Sequence, residues 1–79
     1  MTVEVRLPQW GMAMEDADVV RWLKAEGDMV EAGEPIVEVE SAKISDTVNA
    51  PVAGRLARIV AAEGTTVEVA GTIAEIEPI

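Results

Sequence analysis

The 79-residue chain holds few side chains capable of covalent chemistry. It has no histidine and no cysteine, which removes the commonest general base, the commonest metal ligand and every thiol nucleophile. Disulfides and thiolate metal sites go with them. Paired carboxylates such as Glu15-Asp16 could be drawn as an acid and a base. In a chain with 15 acidic residues against 6 basic ones, they read instead as solvated charge. What remains is the amine of a lysine, and there are two, Lys24 and Lys43. An amine held in water can be acylated, and acylation removes its charge, taking the formal net charge from −9 to −10. An exposed lysine is most often a solubilising charge, and composition alone assigns neither amine a reaction.

Lys43 is the better placed of the two. It follows an alternating run, Ile36–Glu40, and precedes a second polar–apolar run, Ile44-Ser45-Asp46-Thr47-Val48-Asn49. If Ala42-Lys43 form a two-residue turn, Ser41 pairs with Ile44, Val39 with Asp46, Glu38 with Thr47 and Val37 with Val48. That register gathers the apolar pairs on one face, as a hairpin over a core requires. Ala-Lys is not a favoured primed-turn dipeptide, so a type I turn or a longer one stays open. Either turn leaves Lys43 far from the core with its amine in water. Lys24 falls in the apolar segment Val19–Lys24, where it reads as an exposed strand position.

The elements that must hold this hairpin show a repeat. Shifted by 37 residues, Glu26-Gly27 falls on Glu63-Gly64 and Val30-Glu31 on Val67-Glu68. Ile36, Glu38, Val39 and Glu40 fall on Ile73, Glu75, Ile76 and Glu77, and Trp22-Leu23 on Ile59-Val60. Neither half is large enough to bury its own apolar face, so the two must pack together about a pseudo-two-fold axis. Val3–Leu7 alternates, with Val3, Val5 and Leu7 on one face, while Val67–Val69 and Ile73–Ile76 are shorter strands. Gly and Pro punctuate between them, at Pro8, Gly11, Gly27, Gly33, Pro35, Pro51, Gly54, Gly64 and Gly71. Val19–Lys24 and Leu56–Val60 fit a helical period about as well as an alternating one. Their flanking glycines keep them short and the repeat asks for the same structure twice, so both are taken as strands. The expectation is one all-β domain over residues 1–79, a flattened β-barrel or sandwich of two antiparallel sheets with pseudo-two-fold symmetry. With no Phe or Tyr, its core must be built from Val, Ile, Leu, Ala and Met.

The net charge of −9 disfavours nucleic acid and anionic membrane, both of which call for a basic patch. No apolar run approaches a membrane span, and Met1–Val5 lacks the features of a signal peptide. These features predict a cytoplasmic domain, monomeric by itself.

Four pieces in order resemble the lipoyl domain of 2-oxo acid dehydrogenase complexes, within the biotinyl/lipoyl attachment family. Leu7-Pro8-Gln9-Trp10-Gly11-Met12-Ala13-Met14-Glu15 is similar to that family's first strand and loop. Trp22 through Ile36 is similar to its central signature, Glu40-Ser41-Ala42-Lys43 to its modified-lysine motif, and Ala50-Pro51-Val52-Ala53-Gly54 to the following turn. The resemblance implies a barrel-sandwich hybrid that is not itself an enzyme, with lipoate in amide linkage on Lys43. A lipoate ligase or lipoyl transferase would read Glu40, three residues before the lysine, and Gly27, sixteen before it. Gly27 also reads as a positive-φ turn residue, like its mate Gly64. The implied working partners are a thiamin-diphosphate decarboxylase that acylates the arm, an acyltransferase that passes the group to coenzyme A, and a dihydrolipoyl dehydrogenase that reoxidises it. Pro8, Gln9, Trp10, Gly11 and Met12 would lie beside the hairpin for the decarboxylase to recognise, although Trp10 and Met12 serve equally as local packing. The family usually has an acidic residue just before the lysine and often a glutamate four after it, where this chain has Ala42 and Thr47. A biotin carrier shares the architecture, but typically flanks its lysine with methionines, and here the neighbours are Ala42 and Ile44. An unmodified docking module would lack the tip lysine.

Overall fold

Short runs of β-branched residues broken by turn formers fold here as strands. The structure is a computed structural model that describes residues 1–8, 15–42 and 44–79. It contains β1 (Val3–Arg6), β2 (Asp16–Trp22), β3 (Met29–Val30), β4 (Pro35–Glu40), β5 (Ser45–Asn49), β6 (Gly54–Ile59), β7 (Thr66–Glu68) and β8 (Thr72–Pro78). Among the described residues there is no helix. The two segments of ambiguous period are strands, β2 and β6, as the repeat requires.

The strands form two antiparallel four-stranded sheets, ordered β1-β8-β6-β3 and β5-β4-β2-β7. Neither sheet closes on itself, and together they make a barrel-sandwich hybrid. The first four strands supply the centre of one sheet (β4 and β2) and both edges of the other (β1 and β3); the last four do the reverse. Each half is therefore threaded into both sheets.

The 37-residue repeat reaches down to the irregularities. β2 carries an extra residue, Val20, between the pairs Val19↔Val39 and Arg21↔Glu38. β6 carries Ala57, the residue 37 positions on, between Leu56↔Ile76 and Arg58↔Glu75. Ile36 is the extra residue of β4 against β5, and its mate Ile73 that of β8 against β1. The bulges correct the simple alternation expected for Ile36–Glu40. Ile36 and Val37 are adjacent yet both fully buried, because a bulge lets consecutive side chains turn to the same side. The backbone bonds repeat too. Gly27 N–H donates to Leu56 O at 2.7 Å, and Gly64 N–H to Val19 O at 2.8 Å. Trp22 N–H donates to the Glu63 carboxylate at 3.0 Å, while Ile59 N–H donates to that of Glu26 at 2.7 Å. Each half thus supplies a carboxylate that ends a central strand of the other.

Between the sheets lies an aliphatic core in which Leu7, Ile36, Leu56, Ile73, Ile76, Val5, Val19, Val37 and Val39 are the largest fully buried side chains. No polar side chain is buried among the described residues. Trp22 flanks the core half-buried, its indole N–H donating to Ala61 O at 2.8 Å. Gly54, where β6 meets β3 and β8, is required by space: a Cβ there would strike the Glu77 carbonyl and sit 2.9 Å from the Pro78 Cα.

Lys24 departs from expectation. β2 ends at Trp22, so Lys24 lies in the bend beyond it. It is half-buried and its ammonium pairs with Glu34 at 3.1 Å, tying the turn after β2 to the turn before β4. The backbone N–H of Glu31 at 2.9 Å and then this ammonium hold the Glu34 carboxyl below its ordinary value. A depressed carboxyl stabilises the fold above the ordinary glutamate range, and that contribution is lost as pH falls through the lowered value. Glu34→Gln keeps an acceptor for Glu31 but loses the charge. The variant should be less stable than the parent at neutral pH, with the difference shrinking in denaturant titrations as pH falls through the lowered value.

One turn breaks the glycine pattern. Gly33 has φ +84°, and its repeat mate is Ala70, which holds φ +68° without being glycine. A left-handed residue with a Cβ costs about 1–2 kcal/mol, of which glycine's looser unfolded chain gives back about 0.4–1. Ala70→Gly should therefore raise stability by up to about 1 kcal/mol, measured as a higher melting temperature.

Candidate functional site

The β4–β5 hairpin forms in the register that its alternation predicts. Val37 faces Val48, Glu38 faces Thr47, Val39 faces Asp46 and Glu40 faces Ser45. Val37 and Val48 are buried and anchor the base of the hairpin in the core. Beyond Glu40 and Ser45 the strands close through Ser41 and Ile44, with Ser41 N–H donating to Ile44 O at 2.7 Å. Ala42 and Lys43 join them in sequence. Lys43 itself lies outside the described residues, and so do Gln9, Trp10, Gly11 and Met12.

Around this end the solvent face is acidic. Glu40 is exposed, and the Ser45 hydroxyl donates to its carboxylate at 3.4 Å. Across the sheet Asp18 lies opposite Glu40, its own carboxylate held by the Thr66 hydroxyl at 2.6 Å. Glu38 is paired with Arg21 at 3.7 Å. A shallow groove of about 420 Å³ runs beside the hairpin, lined by Val20, Glu38, Val39, Glu40, Ser45, Asp46 and Thr47. Val20 stands half-exposed there because it is the bulged residue of β2.

Gly27 does not join this end. β2 runs antiparallel to β4, with Asp18 beside Glu40 and Trp22 beside Val37, so the chain leading on to Gly27 moves away from Glu40. Its φ of +93° accounts for the glycine, and a Cβ there would meet nothing within 4 Å. Pro8 is exposed after Leu7, whose N–H and carbonyl are held by Gly71 at 3.0 Å and Ala70 at 2.9 Å. The chain re-enters the described residues at Glu15, whose carbonyl accepts from Val69 at 2.9 Å. From Asp16 it runs as β2 toward Asp18, so this re-entry lies at the hairpin end.

Ser41 faces Ile44 as its place in the hairpin predicts, but the role of its hydroxyl, like the places of Asp18 and Val20, was not anticipated. A serine immediately before a glycine-free tip is a signal for Ser41, because such side chains commonly close turns. Nothing in the local pattern marks the bulge that exposes Val20. Of the two lysines, Lys24 has its amine in an ion pair with Glu34. Lys43, at the hairpin junction, remains the candidate for modification.

Known proteins point the same way. A family profile described as "Biotin-requiring enzyme" matches residues 3–76. The chain is 43% identical over 77 residues to the dihydrolipoyllysine-residue succinyltransferase component of the 2-oxoglutarate dehydrogenase complex of Bartonella vinsonii subsp. berkhoffii, covering 98% of the chain and 19% of that protein. It is 45% identical over 72 residues to the corresponding acetyltransferase component of the pyruvate dehydrogenase complex of Mycobacterium bovis, covering 91% of the chain and 13% of that protein. The chain thus spans a fifth or less of the length of these relatives. Among solved structures, the lipoyl domain of the Azotobacter vinelandii 2-oxoglutarate dehydrogenase complex superposes with TM-score 0.75 at 29% identity, covering 95% of each chain. The Kluyveromyces lactis urea carboxylase superposes with TM-score 0.81 at 23% identity over 98% of this chain and 6% of that one, a likeness of fold alone. With residues 3–76 matched by the family profile and the fold of a solved lipoyl domain shared over 95% of its length, the chain belongs to the biotin/lipoyl attachment family and is a domain of lipoyl type.

Proposed function

We propose that the chain is a non-catalytic carrier that holds lipoate in amide linkage on Lys43 and presents it in turn to the enzymes of a 2-oxo acid or acetoin-type dehydrogenase complex. The observation that supports this most directly is the β4–β5 register, which ends at Ser41 and Ile44 and leaves Ala42-Lys43 as the join between two core-anchored strands. When bound, the group supplies a dithiolane that carries acyl groups and reducing equivalents.

The domain's own residues hold and display. Val37 and Val48 fix the base of the hairpin, and the acidic face formed by Asp18, Glu38 and Glu40 surrounds its end. Tethering raises the effective concentration of the arm at each partner site, so every encounter after the first is intramolecular. A lipoate ligase or lipoyl transferase reads Glu40, with Gly27 as a second contact on a separate turn. The working partners are a thiamin-diphosphate decarboxylase, an acyltransferase and dihydrolipoyl dehydrogenase, and the setting is the cytoplasm. The relatives named for 2-oxoglutarate, pyruvate and acetoin systems support this range of partners. Biotin on the same lysine is the competing cargo, and intact mass separates the two adducts.

Lys43→Arg should abolish modification by a lipoate ligase while changing stability by no more than about 0.5 kcal/mol, because arginine keeps the charge but is a far poorer nucleophile. Lys24→Arg should be modified like the parent. Intact mass and thermal melting read both; an adduct on Lys43→Arg, or its loss on Lys24→Arg, removes Lys43 from the role.

The segment from Pro8 through Met12 is assigned to recognition by the decarboxylase. Replacing it with the corresponding loop of another lipoyl domain should lower the rate at which the cognate decarboxylase acylates the modified domain. An unchanged rate excludes the loop from recognition.

A further inference from the structure

In a hydrogen-bonded antiparallel pair, the two facing residues exchange two backbone hydrogen bonds. Ser41 and Ile44, which close the hairpin, exchange one. Ser41 N–H donates to Ile44 O at 2.7 Å, but Ile44 N–H donates to the Ser41 hydroxyl oxygen at 3.2 Å. That hydroxyl in turn donates to Ile44 O at 3.3 Å. Both residues are half-buried, so these bonds are partly shielded from competing water.

The backbone explains why a side chain is needed. The tightest two-residue hairpins use type I′ or II′ turns, whose first central residue has positive φ and is usually Gly, Asn or Asp. Here that residue is Ala42, and among the described residues Ala70 is the only non-glycine with positive φ. The tip is therefore not a primed turn, and its second closing bond runs to the serine hydroxyl in place of a backbone carbonyl. A lysine-bearing tip without glycine or asparagine gains its closure from Ser41.

We propose that Ser41 is a positioning residue for modification of Lys43, acting by closing the hairpin at Ser41 and Ile44, the described residues that flank the tip, so that the modifying enzyme meets a closed hairpin. This rests on the assignment of Lys43 as the attachment site. If the enzyme binds only the closed tip, its apparent affinity scales with the fraction of domains that are closed. Loss of the hydroxyl then raises KM and leaves kcat near its parental value.

The test uses the full chain with lipoate, ATP and a lipoate ligase, following adduct formation by intact mass over a range of domain concentrations. Amide exchange at Ile44 and thermal melting are measured on the same samples. Ser41→Ala should lower the closed-to-open ratio about three- to tenfold, the range that loss of one net hydrogen bond gives, raising KM and speeding Ile44 exchange each by up to that factor. Ser41→Thr, which keeps the hydroxyl, should restore both. Parental KM in Ser41→Ala, or unchanged exchange at Ile44, overturns the proposal. So does a Ser41→Thr variant that recovers protection at Ile44 but not KM. A fall in melting temperature of more than about 8 °C in Ser41→Ala would make Ser41 a general stability element, and also overturns it. Absence of any adduct on the parent chain strikes the carrier assignment instead, and leaves the exchange result at Ile44 standing by itself.

Discussion

Backbone hydrogen bonding between the two halves is the constraint on which the structure depends. β4 and β2 pair with each other, and their outer edges are satisfied only by β5 and β7 from the second half. β8 and β6 likewise rely on β1 and β3 from the first. An isolated pair of strands is marginal in water at best, so neither half has a stable sheet without the other. The carboxylates of Glu26 and Glu63 reinforce this from the ends, each taking the first free N–H where a central strand of the opposite half runs out. An aliphatic core with no buried polar side chain among the described residues adds cohesion but little direction. Direction comes from the paired backbones and from bulges at matched positions.

The hairpin inherits its rigidity from that arrangement. It is the place where the chain passes from the first half to the second, with β4 central and β5 at an edge of the same sheet. Its base cannot slip by one residue without moving Val37 and Val48 out of the core. Toward its far end Glu40, Ser45 and Asp46 are exposed, so the core places little demand on them. The division of labour runs along a single hairpin: apolar pairs fix where it points, and Ser41 fixes how it closes.

Much of this was legible in the residues. The 37-residue repeat gave two like halves, and the alternation of Val37, Val39 and Val48 gave the register of β4 and β5 pair by pair. Gly27 and Gly64 announced positive-φ turns, which both are. What escaped was whatever depends on one unpaired residue. Alternation over Ile36–Glu40 was counted without the bulge at Ile36, which no residue type marks. Lys24 was placed on a strand, whereas the chain has already bent to reach Glu34. Ala70 gave no sign of a left-handed backbone, although its repeat mate Gly33 could have raised the question. Lys43 was legible as a candidate attachment residue from the hairpin together with the resemblance of Glu40-Ser41-Ala42-Lys43 to the lipoyl motif, while the part played by the Ser41 hydroxyl required coordinates.

The interlocked sheets also dictate when this domain can fold as it is made. β8, residues Thr72–Pro78, is a central strand, bonded on one side to β1 and on the other to β6. While a ribosome still holds those residues, β1 and β6 have no partner between them, and Val5 and Leu56 lack the Ile76 wall against which they bury. At the usual pace of about 5–20 residues per second, β8 follows β7 within about two seconds, and until then the sheet of β1, β6 and β3 lacks a central strand while every strand of the other sheet has been made. The net charge of −9 keeps that waiting chain apart from its neighbours until β8 joins β1 and β6.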